Sequence, residues 1–166
     1  MSSRTKVANS SAASVIGLGL SLMASLAIAQ GSKSEVNIDT AVATNAAVLG
    51  STANQSIDVG NASNGGKSSV KAGTMVVTNA AVLGSTANQT TRVGNSDGAN
   101  SKSNVKINTF VQTNAAVLGS KANQNVAIGD SANGGQATVN LNTFVATNAG
   151  VLGSRANQNV NIGNAK

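Results

Sequence analysis

The chain has 166 residues, with eleven Lys and Arg against five Asp and Glu and no His, for a formal net charge of +6. Cys, Pro, Trp and Tyr are also absent, and Phe110 and Phe144 are the only aromatic residues. These absences exclude a disulfide framework, a His- or Cys-based catalytic centre and an aromatic platform for stacking bases, so neither an enzyme nor a nucleic-acid binder is expected.

Residues 1–29 read as a secretory signal peptide that is removed. Arg4 and Lys6 form its positive region, Val15–Leu26 its apolar stretch and Ala27-Ile28-Ala29 a small-x-small cleavage site. Gly17, Gly19, Ser21 and Ser25 interrupt the apolar stretch, which falls short of the ~20 apolar residues that a membrane-spanning helix needs. No later segment reads as a span. Removal of Arg4 and Lys6 leaves nine basic residues and a net +4, spread over the chain as solvated charge.

After a short lead at 30–35, four similar segments follow: 36–69, 70–104, 105–138 and 139–166. Their shared string is TNAAVLGSTANQ at Thr44–Gln55 and Thr78–Gln89, TNAAVLGSKANQ at Thr113–Gln124 and TNAGVLGSRANQ at Thr147–Gln158. Thr44, Thr78, Thr113 and Thr147 are 34, 35 and 34 residues apart, a period that signals stacked repeats. Soluble repeat arrays normally end in polar caps. Here the fourth unit carries none, and no segment of different character is expected to close either end.

Within the first unit Val36, Ile38, Thr40, Val42, Thr44, Ala46 and Val48 alternate with small or polar residues. That period of two, rich in β-branched residues, predicts a long strand with these seven side chains facing inward. At Val48-Leu49-Gly50 the alternation slips, and Gly50 predicts a bend, as do Gly84, Gly119 and Gly153. Ala53, Gln55, Ile57 and Val59 then alternate as a shorter strand, ended by Gly60-Asn61. The other units repeat the pattern, with loops of variable sequence between them. The predicted fold is all-β: a repeat β-solenoid, or cross-β stack, of four rungs of ~34 residues, each a long strand, a Gly bend and a shorter strand.

Stacking in register places like side chains in columns. Asn45, Asn79, Asn114 and Asn148 form one, Asn54, Asn88, Asn123 and Asn157 a second, and Gln55, Gln89, Gln124 and Gln158 a third on the core side. Such amide ladders bond from rung to rung and act as assembly devices in cross-β structures. Ala41, Met75, Phe110 and Phe144 form an apolar column with outward parity, and Leu49, Leu83, Leu118 and Leu152 another beyond the slip. Either the repeat buries both faces in two layers, or filaments meet laterally there, through Met75, Phe110 and Phe144 in particular.

Uncapped ends make another copy the expected partner. With the first rung of a second molecule on the fourth of the first, Val151 meets Val48, Gln158 meets Gln55, Phe144 meets Ala41 and Arg155 meets Thr52, with no clash of like charge. Fourth rung on fourth rung in the same sense sets Arg155 over Arg155. The head-to-tail contact does not close and generates a filament. The five acids do not recur at equivalent repeat positions, so no metal cage or cofactor site is expected.

This Cys-free stack of Ala, Gly, Asn, Gln and Val repeats with amide ladders resembles the subunits of bacterial functional amyloids, the curli and Fap class of biofilm fibres. The chain departs from the curli spacing Gln-x-Gly-x-x-Asn, since Gln55 is followed by Gly60-Asn61, and it lacks the Cys-x-x-Cys of the Fap major subunit. The resemblance implies an extracellular fibre or cell-surface structure of a bacterium, secretion or nucleation factors as partners, and a role in biofilm matrix, cohesion or adhesion. Two alternatives rest on other features. Asn125–Gly129 and Asn159–Gly163 resemble the head motif of trimeric autotransporter adhesins, which implies a β-roll binding a host or surface ligand. The columns Thr40/Thr74/Thr109/Thr143 and Thr44/Thr78/Thr113/Thr147 are those of an ice-binding solenoid, although their parity with the valines places them inside.

Overall fold

The computed structural model describes residues 6–7, 23–28, 33–62, 66–98, 100–132 and 135–163. Ten strands follow one another: β1 (Lys6–Val7), β2 (Met23–Ile28), β3 (Lys33–Val48), β4 (Thr52–Asn61), β5 (Lys67–Val82), β6 (Thr86–Val93), β7 (Lys102–Val117), β8 (Lys121–Ile128), β9 (Gln136–Val151) and β10 (Arg155–Ile162). They form two parallel five-stranded sheets, ordered β1-β3-β5-β7-β9 and β10-β8-β6-β4-β2. Each repeat is one turn of a β-solenoid, a long strand in the first sheet and a short one in the second. Register is maintained through the array: Thr44 pairs with Thr78, Thr78 with Thr113 and Thr113 with Thr147. Among the described residues no helix is long and apolar enough to cross a membrane.

Long and short strands meet at the predicted bend. Leu49-Gly50, Leu83-Gly84, Leu118-Gly119 and Leu152-Gly153 all have positive φ, between 55° and 73°. The corner continues the ladder, since the Leu49 amide donates to the Val82 carbonyl (3.2 Å) and the Gly50 amide to that of Leu83 (2.9 Å). The turn at the far end of each short strand needs glycine for a different reason. A Cβ on Gly60 would lie 2.2 Å from Val70 Cγ2, and one on Gly94 2.2 Å from Val105 Cγ2, so the chain passes too close to the next rung for any side chain.

The core tapers. Beside the corner Ala47, Ala53, Ala81, Ala87, Ala116 and Ala122 are buried and let the two sheets approach closely. Farther out the gap holds Val36, Ile38, Ile57, Val59 and their equivalents, together with Met75 and Phe110. Phe110 stacks on Phe144 with ring centroids 5.7 Å apart and planes 14° from parallel.

The long strands do not keep one parity. Val36, Ile38, Val70 and Ala72 point inward as expected, but Asp39/Gly73 and the equivalent Asn108/Asn142 drop out of the pairing register. Beyond them the inward residues are Met75, Val77, Asn79 and Ala81, with the equivalents in the next rung buried likewise. Two consecutive outward residues at the switch mark a kink that all the long strands share, since pairing is one to one on either side of it. Met75, Phe110 and Phe144 therefore lie on the core side, Met75 and Phe110 fully buried, and do not form a lateral contact. The threonine columns at Thr74/Thr109 and Thr78/Thr113 face outward instead of inward. Burial of the large Met and Phe side chains gains more than burial of threonine, whose hydroxyl would then need a partner.

The head end also differs from expectation. Lys6 and Val7 pair with Glu35 and Val36, and Met23–Ile28 lies along Ser56–Asn61. Part of the first rung is thus flanked by two stretches of the segment read as a leader. The expected cleavage junction after Ala29 lies outside the described residues.

Candidate assembly surfaces

Three amide columns run the length of the stack. In the first, Asn45 Nδ2 donates to Asn79 Oδ1, Asn79 to Asn114 and Asn114 to Asn148, each at 2.9 Å. The same nitrogens donate to carbonyls of the facing sheet, Asn114 Nδ2 to Ala122 O at 3.1 Å and to Asn157 O at 2.9 Å. The reversed parity places this column inside, where Asn79 and Asn114 are fully buried. It thereby cross-links the two sheets as well as the rungs.

The second column lies on the outer face of the second sheet and runs the other way. Asn88 Nδ2 donates to Asn54 Oδ1 at 2.8 Å, Asn123 to Asn88 and Asn157 to Asn123 at 2.9 Å. Outside it a groove of about 230 Å³ passes between Asn88/Asn123/Asn157 and Thr90/Asn125/Asn159. The third column is internal: Gln89 Nε2 donates to Gln55 Oε1, Gln124 to Gln89 at 2.6 Å and Gln158 to Gln124 at 3.0 Å. Gln89 also donates to Thr78 O at 3.2 Å. Satisfaction along the column makes it tolerable to bury these amides.

The two ends of the stack present complementary groups. At the tail Asn148 is the last member of a column whose nitrogens donate onward, while Asn157 and Gln158 end columns whose oxygens accept from the next rung. At the head Asn45 Oδ1 can accept, and Asn54 and Gln55 carry the matching nitrogens. Strand edges are uneven. β9 and β10 close the two sheets on the tail side with no further strand among the described residues. Along β3 the stretch from Asn37 to Val48 has no strand outside it among the described residues, whereas β2 flanks the far half of β4.

Burial records the same asymmetry. Val105, Ile107, Asn114 and Ile128 are buried in the third rung, but their counterparts Val139, Leu141, Asn148 and Ile162 are half-buried or exposed. Sequence reasoning missed Gln112, which replaces Val77 in a core column and is 0% exposed. Neither amide atom of Gln112 has a hydrogen-bond partner among the described residues. It also missed the segregation of charge on the first sheet. Lys67 pairs in register with Lys102 and Lys71 with Lys106 on the outer face before the kink, whereas the stretches 74–85 and 109–120 contain no charged residue.

Among the described residues no three metal-ligating side chains come together. No protein family, curated protein or solved structure matches the chain at a significant level.

Proposed function

We propose that this chain is a secreted structural subunit that joins head to tail into an extracellular amyloid-like fibre, serving biofilm matrix, cohesion or adhesion. One observation carries the reading. The fourth rung presents, unburied, the columns that the preceding rungs bury against one another. An incoming first rung would offer Val36, Ile38, Asn45 and Gln55 to Val139, Leu141, Asn148 and Gln158, the same kinds of contact as inside the chain. Open strand edges of this length are sites of chain-to-chain pairing. The reading requires β1 and β2 to leave the head, which removal of residues 1–29 would achieve. The test is electron microscopy of residues 30–166 with fibre diffraction, expected to give unbranched fibres with a repeat of ~4.8 Å along the axis. A particle that stays monodisperse at high concentration by light scattering would contradict it.

The outward threonines favour a second reading. Thr74/Thr109 and Thr78/Thr113, with Val76 and Val111 between them, form a regular hydroxyl and methyl array on an outer face. Such a face suits ordered water, and ice-growth inhibition by the monomer is the assay that would select this reading.

A further inference from the structure

The corner of each rung contains an anomaly. Leu49, Leu83, Leu118 and Leu152 have φ of 57°, 57°, 57° and 55°, a left-handed conformation that costs a non-glycine residue about 1–2 kcal/mol. Two successive residues with positive φ suit Asn-Gly or Asp-Gly. This chain instead places leucine there in all four repeats. The leucines gain only partial burial in exchange, by stacking on one another: the outer pair, Leu49 and Leu152, is 70% and 67% exposed and the inner pair, Leu83 and Leu118, still 42%. Strain held in every copy together with an exposed apolar side chain points to a contact outside the monomer.

The surroundings identify that contact. Each leucine follows an outward valine, Val48, Val82, Val117 or Val151. The valines border the Thr-Val-Thr-Ala half of the first sheet's outer face, where 40–51, 74–85, 109–120 and 143–154 contain no charged residue. The exposed lysines of that face, Lys67, Lys71, Lys102 and Lys106, all lie on the other side of the kink. Two copies of one cationic protein repel wherever such columns face each other. The leucine corner and its first-sheet flank are where like copies can meet at the least cost, the nearest charges being Lys121 and Arg155 at the start of β8 and β10, on the other flank of the third and fourth corners.

We propose that the leucine corner, with the valines beside it, is a seam by which a second copy of this chain lies alongside the first. An isologous contact uses the same patch twice. In a fibre, and to that extent the inference rests on the proposed function, the seam would repeat at every rung and join filaments in pairs.

The absence of cysteine makes the seam testable before any fibre forms. Leu83→Cys and Leu118→Cys are each treated with a mild oxidant alongside Asn125→Cys, which is exposed on the opposite sheet. A docked seam raises the effective concentration of facing thiols, so at least one corner variant should give roughly tenfold or more disulfide-linked dimer than the control. Equal yields, or none at the corner, overturn the seam. A Leu49→Asn/Leu83→Asn/Leu118→Asn/Leu152→Asn variant, which relieves the corner strain, should keep end-to-end growth and show single filaments where the parent shows pairs. Pairing at the parent's frequency would also refute it. Absence of filaments from the parent would sink the end-to-end reading alone, with the cross-linking still deciding the seam.

Discussion

Replacing Asn114 by Ala removes one member of the internal amide column and shows whether that column holds the solenoid together. Its nitrogen has two hydrogens for three acceptors, Asn148 Oδ1 at 2.9 Å, Asn157 O at 2.9 Å and Ala122 O at 3.1 Å, and its oxygen accepts from Asn79 at 2.9 Å. That amounts to about three full hydrogen bonds at roughly 0.5–1.5 kcal/mol each, with part of the desolvation penalty of the partners left behind. The expected loss is about 2–4 kcal/mol. With m of about 2 kcal/mol/M, the urea midpoint should fall by roughly 1–2 M. Asn123→Ala is the matched control, because it removes an outer column member with one bond given and one received, both at 2.9 Å. Water can replace those bonds, so its cost should be no more than about 0.5 kcal/mol. Unfolding of residues 30–166 below the assembly concentration, followed by circular dichroism, measures both. Equal losses in the two variants would refute the claim that the buried column matters more than the exposed one.

Gln112→Met should stabilise the chain by about 1–3 kcal/mol, because an apolar side chain of similar size replaces two unpaired buried polar atoms; the thermal midpoint reads this out, and a decrease would show that the amide has a partner in solution. Gly94→Ala should cost at least about 1–3 kcal/mol through its left-handed φ and the contact with Val105, measured by urea unfolding, and a neutral result would mean that the rungs are farther apart than described. Residues 30–166 should assemble with a shorter lag than residues 1–166 in dye-binding kinetics, because β2 flanks β4 only in the longer chain; identical lags would mean that the segment does not occupy the head in solution.

Rung length, parallel register and the glycine bend are legible in the sequence because repetition records them: each is fixed by a residue recurring at the same place, as Thr44, Thr78, Thr113 and Thr147 do. The parity switch is not recorded in that way. It falls on Asp39, Gly73, Asn108 and Asn142, four positions with no common identity, and the alternation of small and apolar residues passes over them unbroken. Those residue types are depleted from regular strands, and that was the available signal. Missing it turned Met75 and Phe110 outward, put the threonines inside and left the Asn45 column unassigned to the core. The pairing of Met23–Ile28 with β4 could not be read from repetition, because that stretch belongs to no repeat. The complementarity of the ends was only half legible, since columns of identical amides carry no sign of direction until their hydrogen bonds are drawn.

That direction bears on errors of assembly. The Asn45 column hands its protons toward the tail, and the Asn54 and Gln55 columns hand theirs toward the head. A copy arriving upside down could not continue any of the three columns, because the rotation that turns it over also reverses its strands or exchanges its sheets. At about 1 kcal/mol for each bond forgone, such a mistake is disfavoured on the order of a hundredfold relative to correct docking. In the proposed fibre the ladders would thus select orientation with uncharged side chains, a discrimination that added salt should leave largely intact.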